Sequence, residues 1–503
     1  MIRKVQGTEV GMETLDQKTE DAAHVEKIGI SHDNTLKKAS DCITILIPQP
    51  SDDPEDTLNW SQEKKWVMLC VVAYCAVLPD MQAAFGIPLV PAQAIEWGIS
   101  IDEAGRSVSG CVFMIGAGSL FSVPLVQRFG RLPVLFWSMF ISFWMTVFAT
   151  LAPSPISFIV ARCLQTTFSA APQVIGLSFI YDLFFFHEHA RAIGIWAWAF
   201  VESPFIGPLI SSIVANFRPW QDAFWVCTAM TGLACILVIM LVHETLYDRD
   251  ISIQLPEKAA GPLVRRLEMI SGAYGARVKG RPSLAKSSMR MLVIASRPYF
   301  FLILVFYAMT FMWSVGANTT LSLFLFKPVA AGGYGFSQLS VGLIYFAPIT
   351  ATFLGELFGH YFNDFLARRY MQRHSGVFEP EARLWVVWIA TPFMVGGLIL
   401  LGFCFELHFH WVAIAFAWGI YCFGTLISTV GITAYALDIF KDEAAEAAAL
   451  INFSRTISGF IVNYFQFEWA AKVGPAGSFG TQGAICFVAW AIIVLVQWKD
   501  HAA

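Results

Sequence analysis

The chain has 503 residues, of which 56% are hydrophobic, 15% aromatic and only 14% charged. Soluble domains average about 25% charged residues, and this length would make about three of them. Recurrent apolar runs, each long enough to cross roughly 30 Å of hydrocarbon, exclude that reading. The formal net charge of −4 says little, because where charge sits matters more than its sum. All of the 10 cysteines except Cys42 lie in or beside apolar runs, with neither zinc spacing nor a disulfide pattern, and read as small buried hydrophobes.

Residues 1–65 are polar, and the first long apolar run opens at Trp66, too far in for a secretory leader. The tail reads as disordered and cytoplasmic. Spans follow at 66–90, 107–126, 133–152, 156–182, 191–215 and 221–243, which make an N-terminal six-helix bundle over 66–243. The polar stretch 244–297 reads as a cytoplasmic central loop. Spans at 298–326, 338–362, 384–405, 410–437, 446–470 and 479–498 make a C-terminal six-helix bundle over 298–498. The fold class expected from this pattern is an all-α integral membrane protein with twelve transmembrane helices in two bundles.

Orientation follows from the 33 lysines and arginines, most of which fall on one side if the N-terminus is cytoplasmic. Arg106, Arg218, Lys327 and Lys472 then lie outside, Arg162 and Arg455 lie within spans, and both termini are cytoplasmic. The central loop interleaves Arg265, Arg266, Arg277, Lys279, Arg281, Lys286 and Arg290 with Leu263, Leu267, Met269 and Ile270. Two readings stand side by side: a basic amphipathic helix on an anionic leaflet, and a solvated linker. Kinks are expected at Pro79, Pro88, Pro204, Pro208, Pro348 and Pro392. Close helix packing is expected at Gly110, Gly116 and Gly118 and at Gly396 and Gly397. The halves echo each other: Tyr181-Asp182 ends span 4, and Tyr435 with Asp438 ends span 10. Such repeats suit transporters built around a central site.

These residues resemble a family, the major facilitator superfamily, and within it the fungal twelve-helix drug:proton antiporter branch, polyamine and multidrug transporters included. The resemblance runs from about residue 54 onward. It is carried by Pro54 with Leu58-Asn59-Trp60-Ser61, by Arg128-Phe129-Gly130-Arg131 at the loop 2–3 signature, and by Arg162 with Gln165 at the fourth-helix Arg-x-x-Gln. Ser203-Pro204 with Gly207-Pro208 resembles the antiporter signature of the fifth helix; Asp364, Arg368-Arg369, Gly376, Glu379-Pro380-Glu381 and Asn452-Phe453-Ser454-Arg455-Thr456 resemble a fungal subgroup. Three positions depart from the pattern: Gln127 stands where an acid is usual, Thr166 where a glycine is usual, and Ser203-Pro204 where Gly-Pro is usual.

Charges inside a bilayer are expensive and tend to face a cavity or a partner. That selects Asp80, Arg162, Glu202, Glu356 and Arg455 as candidates for proton coupling or solute binding. A desolvated carboxyl that binds and releases a proton within each cycle can couple proton flux to solute flux. Glu202, just before the two prolines of span 5, is the leading candidate, against a carboxylate that merely pairs with a neighbouring helix. Asn318 and Asn452 need polar partners inside the bundle, and Trp313 and Tyr345 offer broad faces for a promiscuous site, although most aromatics in so aromatic a chain pack or face lipid. The resemblance adds Gln165 to the coupling set and implies gate contacts at Arg128, Arg131, Asp182, Asp364, Arg368 and Asp438, whose ion pairs form with one side open and break with the other.

The function expected is a proton-coupled secondary transporter that alternates access between two bundles and exports drugs or metabolites. Proton symport of a cationic nutrient such as a polyamine is the alternative, and a non-transporting membrane sensor a remote one. The 10 histidines are too dispersed for a catalytic set, and no phosphate-binding loop appears, so neither an enzyme nor an ATP-driven pump is expected. No cofactor, metal or nucleic-acid partner is implied. The expected partners are a small-molecule substrate, protons and the lipid bilayer. A monomer in the plasma membrane is expected, with the vacuolar membrane as the alternative.

Overall fold

In lipid a backbone N–H or C=O finds partners only within its own helix or a closed barrel, so long apolar runs fold as helices. In the computed structural model all the regular elements among the described residues are helices, and each of the twelve expected spans is occupied by one or two α-helices. The structure describes residues 48–53, 56–247, 261–373, 380–440 and 443–500, some side chains within helices excepted. Met1–Asp52 and Asp53–Ala503 are separate units, and of the first only 48–52 are described, as irregular chain.

The first segment comprises α1 (Gln62–Phe85), a 3-10 turn (Ile87–Leu89) and α2 (Val90–Trp97). Then come α3 (Ile101–Phe129) and α4 (Arg131–Thr150). The fourth segment is α5 (Pro155–Ser169) plus α6 (Pro172–Leu183), the fifth α7 (Phe186–Phe217) and the sixth α8 (Trp220–Leu241). The linker folds as α9 (Pro262–Ser271), α10 (Ala273–Arg277) and α11 (Leu284–Ala295). The second half runs α12 (Pro298–Phe326), α13 (Gln338–Leu343) with α14 (Phe346–Arg373), α15 (Trp385–Glu406), α16 (Trp411–Ile439), α17 (Ala444–Val462) with α18 (Gln466–Val473), and α19 (Pro475–Asp500). Starts follow local chemistry: Ser100 and Glu103 form a capping box at α3, and Pro155, Pro262 and Pro298 sit in the first turns of their helices. Structure also begins before the expected Trp66, since Asp56, Thr57, Leu58 and Lys65 are buried.

Among the described residues, ten segments are long and apolar enough to cross a membrane. The fourth and eleventh differ because they carry the polar interior. The fourth breaks at Ala170–Ala171 ahead of Pro172, and both bury polar side chains, Arg162 and Gln165 in one, Asn452 and Arg455 in the other. Of the expected kinks, Pro88 lies in the 3-10 turn and Pro348 just past the α13–α14 break, whereas Pro79, Pro204, Pro208 and Pro392 sit inside continuous helices.

Buried apolar side chains form one large core in the first six segments and two cores in the last six. The seam between the bundles is α3 against α17 and α7 against α13 and α14. A side chain at Gly116 would strike Thr456 and Phe453 of α17, and one at Gly118 the backbone of Thr167, so these glycines set how closely helices approach. Gly397 does the same against the backbone of Tyr421, whereas Gly396 has no neighbour within 4 Å, so the close packing expected of that pair belongs to Gly397 alone.

Candidate functional site

Asp80 of α1 and Arg455 of α17 are 375 residues apart, and the seam brings them into contact. Arg455 Nη2 donates to Asp80 Oδ2 at 2.8 Å, with side-chain exposures of 5% and 12%. A buried ion pair stands only if its remaining donors and acceptors are also met. Gln173 of α6 donates to the same Asp80 oxygen at 2.7 Å, and Arg455 donates to Asn452 Oδ1 at 2.7 Å. Asn452 in turn donates to Gln173 Oε1 at 3.1 Å and to Ser119 Oγ of α3 at 2.7 Å. The guanidinium carbon lies 5.5 Å and 5.2 Å from the ring centres of Phe200 and Phe311. Segments 1, 2 and 4 of one bundle are thereby tied to segment 11 of the other.

Beside this pair is a cavity of about 40 Å³, bordered by Asp80, Ala84, Pro204, Phe311, Asn318 and Arg455. It has room for a few waters and falls far short of the roughly 300–1,000 Å³ of a site for a drug-sized ligand. The bundles also touch toward both ends, through Gln338 Nε2 to the Pro88 carbonyl at 2.9 Å at one end and through Gln127 to Glu446 at the other.

Span 5 supplies a second polar place. Glu202 of α7 is 3% exposed, and its Oε1 accepts from Thr352 Oγ1 of α14 at 2.8 Å. One turn along α14 stands Glu356, on the same face as Thr352. An Oε2 of each glutamate is buried without a hydrogen-bond partner, and among the described residues neither has a cationic partner. Trp198 lies beside Glu202 and packs edge-on against Phe353 at 6.0 Å.

The two prolines of α7 free two carbonyls, and polar side chains take both. Pro204 has no N–H for Phe200, whose oxygen accepts from Ser203 Oγ at 2.6 Å. Pro208 has none for Pro204, whose oxygen accepts from Asn318 Nδ2 across the seam at 3.1 Å. The serine that departs from the Gly-Pro pattern thus satisfies a carbonyl freed by proline within this helix.

Arg162 is fully buried and bonded to carbonyls: those of Gln82 and Ala83 (3.0 Å for the latter), in the last turn of α1, with Gln165 Oε1 at 3.4 Å. It satisfies orphan acceptors where the first segment breaks in mid-protein, as a cation at a helix C-terminus does. Trp313 and Tyr345 belong to the second bundle's core; Tyr345 shares a hydrogen bond with Ser322 at 2.9 Å and packs against Trp418.

At the linker end Arg131 pairs with Asp182 at 3.0 Å, and Asp182 also accepts from Thr245 Oγ1 at 2.9 Å. This pair lies within the first bundle. Glu244 caps α4 by accepting from the N–H groups of Arg131 and Leu132, each at 3.0 Å, and Gly130 (φ 109°) lets it approach. Arg128 donates to the carbonyls of Ala276 (3.0 Å) and Val278 (3.2 Å), so among the described residues it holds the linker instead of pairing with a carboxylate. The contact between bundles here belongs to Gln127, bonded to Glu446 of α17 and to Ser287 of α11, with Arg290 3.9 Å from Glu446. Pro54, Gly376, Glu379 and the side chains of Asp364, Arg368 and Asp438 lie outside the described residues.

Gln173, Ser119, Thr352, Glu244 and Glu446 are participants the sequence reading did not select. Gln173 carried a usable signal, a lone amide in an apolar run after Pro172. Serines and threonines in helices are too common to stand out.

Two helical bundles, a seam of charges between them and a cavity at its centre define a multi-pass membrane transporter. The chain belongs to the Major Facilitator Superfamily, whose sequence profile matches residues 70–463. An MFS-type transporter of Schizosaccharomyces pombe is 23% identical over 91% of this chain and 87% of its own length. Efflux pump radE of Floropilus chiversii is 25% identical over 84% of this chain and 78% of its own. Among solved structures, the xylose transporter XylE of Escherichia coli, in a partially occluded inward-open conformation, superposes with a TM-score of 0.60 at 13% identity, over 86% of this chain and 99% of that one. That likeness is one of fold.

Proposed function

We propose that this transporter exports a small amphipathic organic molecule or cation, driven by protons, with the bundles 66–243 and 298–498 rocking about the seam and 244–297 as their cytoplasmic link. The observation that carries proton coupling is the Glu202–Glu356 pair. A buried carboxyl at Glu202 and a half-buried one at Glu356, each with an oxygen lacking a hydrogen-bond partner and neither with a cationic partner among the described residues, are costly in lipid, and a proton or a cationic solute relieves them. Asp80 and Arg455, already neutralised by each other, suit a lock that must break for the cavity to widen. Export is favoured by the similarity to an efflux pump, and cytoplasmic termini by the basic linker. The reading is of a monomer in the plasma membrane.

The test is accumulation of labelled solutes, from a panel of lipophilic cations, polyamines and fungal metabolites, in cells with and without the gene. Lower accumulation with the gene, abolished in Glu202→Gln at equal surface expression, is the expected result. Higher accumulation with the gene indicates import and overturns the direction. Wild-type flux and pH dependence in Glu202→Gln remove that residue from the mechanism.

A further inference from the structure

A groove of about 280 Å³ runs down the outside of the first bundle, lined by Phe121, Leu125, Val134, Trp137, Ile141 and Phe168. Its linker end is formed by Ser271 and Gly272, the turn between α9 and α10. Phe121 and Trp137 are 59% and 44% exposed, so the groove opens sideways from the protein. Its walls suit a hydrocarbon chain.

The linker is fixed at the mouth of this groove. Arg266 donates to the carbonyls of Ile239 (2.7 Å) and Val242 (2.6 Å) at the end of α8, and Gly275 lies against the backbone of Phe129. Met269 and Ile270 pack on the bundle core, while Leu263, Val264 and Leu267 of the same helix remain exposed. An apolar face turned outward at the end of membrane-crossing helices fits the interfacial zone of a bilayer. Residues 261–297 carry eight lysines and arginines against Glu268 alone. Some are committed inward, but Lys279 and Lys286 are exposed, and Arg277, Arg290 and Arg297 keep 48%, 42% and 49% of their side-chain surface despite their carboxylate partners.

We infer that this flank is a binding site for an anionic phospholipid of the adjoining leaflet, with an acyl chain in the groove between α3, α4 and α5 and the head group against the linker cations. The apolar groove and the exposed face of α9 set depth, and the excess of positive charge selects anionic over zwitterionic head groups. The test is native mass spectrometry of the purified full chain, stripped of lipid and offered equal amounts of phosphatidylserine and phosphatidylcholine. Phosphatidylserine is expected to be retained preferentially. Lys279→Gln and Lys286→Gln are expected to lower the preference about fivefold each, and Lys327→Gln, at the opposite end, to leave it unchanged. Ile141→Trp, which fills the groove, is expected to remove one bound lipid. Equal retention of the two lipids by the wild type, or an unchanged preference in the double lysine variant, overturns the proposal. A full complement of lipid in Ile141→Trp overturns the seat assigned to the acyl chain.

Discussion

Replacing Arg455 with glutamine leaves Asp80 with Gln173 alone as a partner, in a place where the pair is now about nine-tenths buried or more. Removing one member of such a pair costs about 3–5 kcal/mol, a factor of roughly 10² to 10³·⁵ in an equilibrium constant. The cost falls on the arrangement in which α1 and α17 meet, because an open seam lets water solvate the carboxylate. The fraction of open molecules therefore rises by that factor. Ala84 borders the cavity and is 5% exposed. In a background with accessible native cysteines replaced, Ala84→Cys reports opening through its rate of alkylation. Arg455→Gln should accelerate that rate by two orders of magnitude or more, until the open form predominates. Asp80→Asn added to Arg455→Gln should recover much of the loss, since no uncompensated charge remains. Equal alkylation rates in Arg455→Gln and its parent would refute the assignment of this pair as the lock.

Three further substitutions address the seam. Gly116→Val places a side chain against Thr456 and Phe453; overpacking of this kind costs about 1–3 kcal/mol, read as a lower melting temperature in detergent. Asn318→Ala strips the Pro204 carbonyl of its donor, a loss of about 1–3 kcal/mol for a buried acceptor, and it should shrink when Pro208→Ala restores the backbone N–H. Gln127→Glu opposes two carboxylates at the linker end, where like charges cost several kcal/mol; the melting temperature should drop and Glu446→Gln should restore it.

The fold was legible because lipid enforces it. Apolar runs of sufficient length have no alternative to the helix, and most of the twelve spans appear within a few residues of their expected limits; the first segment runs on to Trp97, α3 begins at Ile101 instead of 107, and α14 continues to Arg373 instead of ending at 362. Span 4 reads as one helix in sequence but breaks ahead of Pro172, and span 11 breaks after Val462; both trade apolarity for polar residues that make interior hydrogen bonds. The same logic of costly charge picked out Asp80 and Arg455 singly. Nothing in a linear pattern could pair them, nor show that Glu202 and Glu356 share a seam through Thr352. Arg162 is selected in the sequence as a candidate for proton coupling or solute binding; that it caps carbonyls at a helix break becomes visible only once the 3-10 turn at Ile87–Leu89 is placed. The loop 2–3 signature also divides its work: Arg131 pairs within its bundle, Arg128 binds the linker, and Gln127 makes the contact between bundles.

Proton coupling through Glu202 is tested most directly in proteoliposomes that hold a pH-sensitive dye, with a solute identified by the cell panel. Adding the solute to the wild-type protein should move protons in the direction opposite to the solute, and Glu202→Gln should show no proton movement. Solute flux with no accompanying pH change, or the same pH change in Glu202→Gln, would contradict the account.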